Sequence, residues 1–474
     1  MQSSQTAAST DAADSADAAS RRAALANAQV LDVQQFLDEQ PVGRFQWLVL
    51  LLCMMIVMLD GLDTVMIGFI APSLSSAWAI PRDALGPVMS GGLLGLACGA
   101  LGAGPLSDRF GRKTVMTVAV LFFGVWSLAS AFAFNVPSLA ILRFLTGIGL
   151  GASMPNAATL MAEYAPPRRR ALMVTAVFCG FTFGAAGGGF VSAWLITQWG
   201  WPSVLMLGGV LPVLFVPVLI KWLPESARYL ALKTSRRARL VSVLNRLKPG
   251  SANADTRFVS HEPVQTPRSP VRAILSREYA FGTVMLWICY FAGLLTVYLL
   301  GNWLPTLIRG LGFSLGEAAV VGALFQAGGT VGSVLIGWQM DRFNPHRALG
   351  ATVLAGGILA CYMGTSAHSL SIICVLAFGM GYCMNGSNTG FCALAAGSYP
   401  TEMRATGTSW MLGVGRFGGI AGAMVGAAML HANWSFGAVF TALAVPATVG
   451  GLAVLLKGAR QRGAFTPVSV GAGH

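Results

Sequence analysis

Leu59-Asp60-Gly61-Leu62-Asp63-Thr64 interrupts a hydrophobic run that extends from Trp47 to Ile70. A run of that length crosses a bilayer as a helix, which needs about 20 apolar residues. Asp60 and Asp63, spaced i and i+3, project from neighbouring positions on one helical face. A carboxylate at the bilayer centre costs about 2.5–3.5 kcal/mol on insertion scales, so acids persist there for function, as parts of proton or substrate pathways. Thr64-Val65-Met66-Ile67-Gly68-Phe69-Ile70 continues apolar beyond the pair, which argues against a helix end in the headgroups.

The rest of the composition agrees with a membrane reading. Of 474 residues, 55% are hydrophobic and 10% charged, against about 25% charged in a soluble domain. The net charge of +13 does not indicate nucleic acid, because the basic residues fall between apolar spans and form no basic face with base-reading groups. Eight cysteines (Cys53, Cys98, Cys179, Cys289, Cys361, Cys374, Cys383, Cys392) lie within spans without a Cys-x-x-Cys pair or neighbouring histidines, so they read as small apolar residues, with no metal or cofactor site.

Residues 1 to about 29 are rich in Ala, Ser, Asp and Gln and lack the apolar content for a core. They contain no short apolar stretch of the signal-peptide kind. Leu31 to Glu39 reads as a short amphipathic helix leading into the membrane. Twelve spans follow, at 46–70, 86–106, 114–134, 138–161, 171–195, 202–222, 280–301, 315–338, 347–366, 369–396, 403–428 and 434–456. Arg109, Arg112 and Lys113 after the second span, and Arg168, Arg169 and Arg170 after the fourth, mark one side as cytoplasmic, together with both termini. The expected organisation is therefore a cytoplasmic segment 1–45, a six-helix half 46–222, a cytoplasmic linker 223–279, a second six-helix half 280–456 and a cytoplasmic tail 457–474. The fold class is an all-α membrane protein.

The halves are internally similar. Gly104-Pro105-Leu106-Ser107-Asp108-Arg109-Phe110-Gly111-Arg112-Lys113 returns as Gly337 to Arg347, with Asp341-Arg342 at an offset of 233 from Asp108-Arg109. Pro166 and Arg170 return as Pro400 and Arg404 at an offset of 234. Repeated halves around a midplane site are a transporter architecture.

The intramembrane charges are few. All five histidines (His261, His346, His368, His431, His474) fall in expected loops or at the terminus. Asp108, Glu163, Glu317, Asp341 and Glu402 sit at span ends, so Asp60 and Asp63 are the default proton carriers. Two cations remain within spans. Arg143 lies near the outer end of span four, where Asp63, in the outer half of its span, could pair with it. Arg416 lies about 18 Å into span eleven, better placed for a substrate carboxylate. A permanent pair between Arg416 and Asp60 or Asp63 is the alternative. Gly413, Gly415, Gly418 and Gly419 around Arg416 leave room for a ring to approach. Tyr298, Trp303, Phe325, Gln326, Tyr382, Asn385 and Asn388 are candidates to complete a pocket, with helix packing and interfacial anchoring as the competing explanation for the aromatic ones.

Gly104 to Lys113 resembles the loop signature of the major facilitator superfamily. The resemblance implies a charge cluster that latches the cytoplasmic side, matched here by Gly104, Asp108, Arg109, Arg112 and Lys113, and in the weaker second copy by Asp341 and Arg342, where Asn344-Pro345 replaces the glycine. Glu163, Glu402 and Arg404 are expected to join this gating set. Arg143-Phe144-Leu145-Thr146-Gly147-Ile148-Gly149 resembles the family's intramembrane arginine motif, which implies a part in proton coupling. Gly180 to Gly189 lacks the Gly-Pro pair of the family's antiporters, so its glycines are assigned to helix packing.

Asp60-Gly61-Leu62-Asp63-Thr64 with Gly68-Phe69-Ile70-Ala71-Pro72 resembles the signature of the aromatic acid:proton symporters. Leu31-Asp32-Val33, Pro224-Glu225-Ser226-Ala227-Arg228, Asn302 to Leu307, Asp341 to His346 and Ser409 to Gly418 are similar to the 4-hydroxybenzoate/protocatechuate permeases. The resemblance implies a monomeric, proton-coupled importer of a monocyclic aromatic carboxylate in a bacterial inner membrane, with protons and the aromatic acid as partners and no covalent chemistry. An efflux antiporter and a membrane sensor without net transport are the rival readings.

Overall fold

The computed structural model describes residues 30–231, 236–253, 256–259, 272, 274–366, 369–399 and 401–460. Among them are twelve helices long and apolar enough to cross a membrane. They are α1 (Arg44–Trp78), α2 (Arg82–Phe110), α3 (Arg112–Ser130), α4 (Val136–Tyr164), α5 (Leu172–Trp199), α6 (Trp201–Trp222), α7 (Ala280–Gly310), α8 (Leu315–Arg342), α9 (Pro345–Thr365), α10 (Leu370–Ala395), α11 (Thr406–His431) and α12 (Phe436–Arg460). Short connections make neighbours antiparallel. The start of α1 and the end of α12 therefore share one end of the bundle, here the terminus side; the opposite end is the distal side.

Most spans run a few residues beyond the lengths read from hydropathy, and α1 differs most. Instead of stopping near Ile70 it continues to Trp78, because Ser75 Oγ donates to the Ile80 carbonyl at 2.7 Å and Ser76 Oγ to the Pro72 carbonyl at 3.0 Å. The helix ends only at Ala79, whose φ of 51° is left-handed. Asp60 and Asp63 are consequently residues 17 and 20 of 35, on either side of the middle of α1.

Backbone-to-backbone seams hold each half together. A side chain at Gly184 would strike the Met58 carbonyl and one at Gly61 the Phe181 carbonyl, so α1 and α5 pack with little between them. In the second half α7 and α11 meet in the same way, through Gly418 on Phe291 and Gly422 on Leu295. The seam between α2 and α4 (Gly95 on Phe144, Gly147 on Gly92) is likewise repeated between α8 and α10 (Gly328 on Phe378, Gly381 on Phe325). Dense small-residue packing compensates for the missing hydrophobic drive between helices in lipid. The duplication visible in the loops is thus a duplication of helix contacts.

The terminus side carries a small extra layer. Val30–Asp32 pairs in parallel with Arg257–Val259, the two strands found among the described residues. Asp32 then caps a helix over Val33–Glu39 by accepting from the Gln34 and Gln35 amides. Val33, Phe36 and Leu37 of this helix join Tyr164, Ala227, Leu230, Leu240 and Leu244 in one buried cluster, and Arg170 clasps Asp38 at 2.7 Å.

The two halves meet at the distal side. Gly68 abuts the Gly301 carbonyl, Gly189 meets Phe69 and Ala323, and Gly86 meets Ala427. Arg82 Nη1 donates to the Thr306 carbonyl at 3.5 Å, and Asp83 pairs with His431 at 2.8 Å. At the terminus side, by contrast, the positions a Cβ would occupy on Gly104 and its repeat Gly337 have nothing within 4 Å. The structure is therefore closed distally.

Gly68→Leu is expected to prevent that closure, since the obstruction is backbone with no side chain to yield. Overpacking costs about 1–3 kcal/mol, which corresponds to roughly tenfold in the conformational equilibrium. A cysteine placed at Asn302, in a background without native cysteines, should then react about tenfold faster with an impermeant thiol reagent added distally. An unchanged labelling rate would show that Gly68 does not set the distal seam.

Candidate functional site

The centre of the bundle separates the two aspartates. Asp63 and Arg143 are 0% and 3% exposed and form a buried pair, with Arg143 Nη2 on Asp63 Oδ2 at 2.5 Å and Nη1 on Oδ1 at 3.3 Å. Arg143 Nη2 also reaches the Asp63 carbonyl at 3.3 Å, and Ser127 Oγ donates to Asp63 Oδ1. Two parallel guanidinium bonds and a hydroxyl saturate this carboxylate.

Asp60 has a different shell. It is 1% exposed and accepts from Thr64 Oγ1 and Ser153 Oγ, both at 3.2 Å. No cation lies within 4 Å of it among the described residues. Its electrostatic neighbours are Asp63 and, from the other half, Arg416. Tyr298, half-buried on α7, lies within electrostatic range of both Asp60 and Arg416. Asp60 on α1, Tyr298 on α7 and Arg416 on α11 are thus electrostatic neighbours drawn from both halves. Arg416 is half-buried and has no carboxylate within 4 Å among the described residues.

The glycines around Arg416 do not leave the space expected of them. Gly415 is covered by the Tyr290 ring, Gly418 by the Phe291 backbone and Gly419 by the Tyr298 ring, leaving Gly413 with nothing within 4 Å. The chain's own tyrosines occupy the room that the sequence assigned to a ligand ring.

The remaining pocket candidates divide. Trp303 is 1% exposed, donates Nε1 to the Ala423 carbonyl at 2.9 Å and packs on Gly426, so it ties α7 to α11. Phe325 is buried in the α8–α10 seam. Gln326 Oε1 accepts from Asn385 Nδ2 at 2.8 Å, and Tyr382 OH accepts from Gln339 Nε2 at 2.8 Å. Tyr382 and Asn385 stand on a π-helical turn, Gly381–Asn385, within α10; such turns concentrate at functional sites. Asn388 Nδ2 donates to the Met384 carbonyl, while its buried Oδ1 lies against Gly293 without a hydrogen-bond partner among the described residues. An apolar groove of about 650 Å³ between α7, α11 and α12 contains neither Asp60 nor Arg416 and opens outward beside the exposed Val445 and Val449.

Of the gating residues, Arg112, Lys113 and Glu163 form one cluster within the first half. Arg112 pairs with Glu163 at 2.8 Å, Ser226 Oγ donates to Glu163 at 2.5 Å, and the Lys113 amide donates to Glu225 at 2.9 Å. Gly111 has φ 98° and lies against the Glu225 carboxylate, so no side chain fits there. In the repeat, Asn344 caps α9 through its Oδ1, which receives the His346 and Arg347 amides; a cap residue is needed where the first copy needs a turn. Asp108, Arg109, Asp341 and Arg342 are exposed at the open side. The side chains of Glu402 and Arg404 lie outside the described residues.

Sequence reasoning missed Ser127 and Ser153 because it counted only charges; hydroxyls inside apolar spans were the available signal. It also placed His346 in a loop and Lys457 in the tail. His346 is buried in the first turn of α9, and Lys457, 1% exposed, donates to Ser398 Oγ at 2.8 Å and lies 3.4 Å from His346 Nε2. Helix α12 continues past its apolar stretch because Lys457 turns inward onto these polar partners.

With this geometry in view, comparison with known proteins is informative. The major facilitator superfamily model matches residues 53–319 and 286–470. The chain belongs to the major facilitator superfamily. It is a transporter of the aromatic acid permease branch and not an enzyme. The 4-hydroxybenzoate transporter of Pseudomonas putida is 51% identical over 429 residues, covering 90% of this chain and 96% of that one. A gallate transporter of Pseudomonas putida is 48% identical over 428 residues, covering 90% and 95%. The crystal structure of a D-xylose-proton symporter shares the fold at a TM-score of 0.65 with 18% identity, covering 87% of this chain and 97% of that one.

The different shells of the two aspartates give an ordered expectation for stability. Asp63→Asn leaves Arg143 buried and uncompensated, which costs about 3–5 kcal/mol, and Asp63→Asn with Arg143→Gln should recover most of it. Asp60→Asn keeps the Thr64 and Ser153 contacts and should cost less than about 1 kcal/mol. Thermal unfolding of the three purified variants tests the order. Equal destabilisation by both single variants would contradict the assigned pairing.

Proposed function

We propose that the protein imports a monocyclic aromatic carboxylate, 4-hydroxybenzoate or protocatechuate, together with protons, as a monomer in a bacterial inner membrane. Residues 46–222 and 280–456 are the halves that rock. The termini and residues 223–279 face the cytoplasm, which makes the distally closed structure inward-facing. The observation that carries the reading is the division of labour at the centre: Asp63 is neutralised within its own half by Arg143, whereas Asp60 and Arg416, on opposite halves, lie within electrostatic range of each other without forming a pair.

In this mechanism Asp60 takes a proton from outside, and its charge no longer competes for Arg416. The substrate carboxylate then occupies the Arg416 guanidinium with two parallel hydrogen bonds. Tyr298 lies within electrostatic range of both. Closing over the neutralised centre and opening inward releases both ligands. The names of the relatives supply the substrate class: those above share an aromatic ring bearing a carboxylate, the feature that the half-buried Arg416 would select. The loop residues Asp108, Arg109, Asp341 and Arg342, exposed in this state, come together when the cytoplasmic side closes.

Proteoliposomes with an imposed proton gradient test the coupling. Asp60→Asn, which keeps shape but removes the titrating oxygen, should abolish accumulation above equilibrium while exchange between two loaded sides persists. Normal uphill uptake would place the proton path elsewhere. For recognition, Arg416→Lys loses the bidentate fork, and substrate binding should weaken by about 1.5–3 kcal/mol, the range for hydrogen bonds to charged groups. Wild-type affinity with lost uptake would reassign Arg416 to balancing Asp60.

A further inference from the structure

The groove between α7, α11 and α12 belongs to the second half alone, and every residue of its lining is apolar. It follows a break in α12. The segments Phe436–Ala442 and Ala444–Arg460 meet at Leu443, and Pro446 has no amide hydrogen to give the Ala442 carbonyl four residues earlier. Ala442, Leu443 and Pro446 all line the groove. On α7 the lining runs from Val284 to Leu299, about 22 Å at the helical rise. That length takes in the depth of one leaflet, half of a hydrocarbon core of about 30 Å.

The terminus-side end of the groove has its own chemistry. Trp287 in the wall stacks on Trp410, with ring centroids 5.9 Å apart and planes at 22°, and tryptophans near span ends mark the membrane interface. Phe281 precedes Val284 by three residues and Ile288 by seven, so it extends the same helical stripe. The exposed Arg460, at the end of α12, lies over the Phe281 ring at 4.6 Å. Leu452 and Leu456, both exposed, lead along α12 from Val449 to Arg460. Arg460 has no carboxylate within 4 Å among the described residues.

We propose that the groove binds one phospholipid, with an acyl chain along α7 and the phosphate on Arg460. An apolar wall does not hold water, and an empty gap between packed side chains forfeits their dispersion contacts. Within a bilayer the groove is therefore filled by hydrocarbon. Arg460 selects the headgroup, because a guanidinium gives phosphate oxygens two parallel hydrogen bonds. Phe281, beneath it, is about 9 Å from Trp287 along α7 toward the terminus side, the direction in which headgroups follow the hydrocarbon. The bound chain braces α12 where its own backbone ladder is interrupted.

The test titrates the full-length protein in neutral detergent with a phosphatidylglycerol and with the diacylglycerol of the same chains, which lacks the phosphate, and counts bound lipid by native mass spectrometry. Wild type should bind the phospholipid at least about fivefold more tightly, the worth of one basic residue at a charged surface. Arg460→Gln should lower phospholipid affinity to the diacylglycerol level and leave diacylglycerol binding as it was. Val445→Trp with Val449→Trp fills the groove mouth from two exposed positions. It should weaken both lipids at least about tenfold at an unchanged melting temperature in lipid-free detergent. Wild-type phospholipid affinity in the tryptophan double variant, or equal affinity of wild type for the two lipids, would overturn the proposal. A wild-type dimer that the tryptophan pair dissociates without loss of lipid would instead assign the face to a second copy of the chain.

Discussion

The organisation of this protein depends on the cost of leaving charge in a medium without water. Unpaired, an intramembrane ion is expensive enough to decide where it sits and what it touches. Asp63 meets that constraint permanently, through Arg143 and Ser127 in the same half. Asp60, one helical turn earlier, is given hydroxyls and no cation within 4 Å among the described residues. Two chemically identical side chains in the same helix therefore have different freedoms: one is fixed as part of the framework, while the other can change its charge if something crosses the interface to compensate.

The cross-half arrangement gives this freedom a direction. Ser153 and Thr64 belong to the same half as Asp60, so its local shell travels with it, and Arg416 is the neighbour whose position depends on how the halves sit. A group whose surroundings differ between two global states links its own occupancy to their balance, and the link is reciprocal. On the proposed mechanism, proton and carboxylate need no direct contact to influence one another.

Much of this was legible in the chain, for identifiable reasons. Twelve spans, the repeated loop at an offset of 233 and the buried acids all follow from hydropathy and from the rarity of charge in apolar runs. What escaped was set by geometry that local pattern does not carry. The serines extending α1 to Trp78 moved the acids to mid-helix. The glycines beside Arg416 were read as space, although small residues serve equally to admit a neighbour's ring, and Tyr290 and Tyr298 fill that role. Lys457 was invisible as a buried group because its partners, His346 and Ser398, are distant in sequence. The division between the two aspartates needed Arg143 and Ser127 in place, since spacing alone treats Asp60 and Asp63 alike.

The duplicated glycine seams bear on how such a transporter changes its diet. Where backbone rests on backbone, as at Gly184 on Met58 or Gly418 on Phe291, there is no side chain to repack, and a substitution displaces a whole helix with every residue it carries. The faces turned toward the opposite half have no such restriction, because their side chains meet across a joint that must open in any case. On the proposed mechanism, novel substrates are reached by exchanging residues along the joint, around Tyr298 and Arg416, while the seams stay fixed and keep those positions in register.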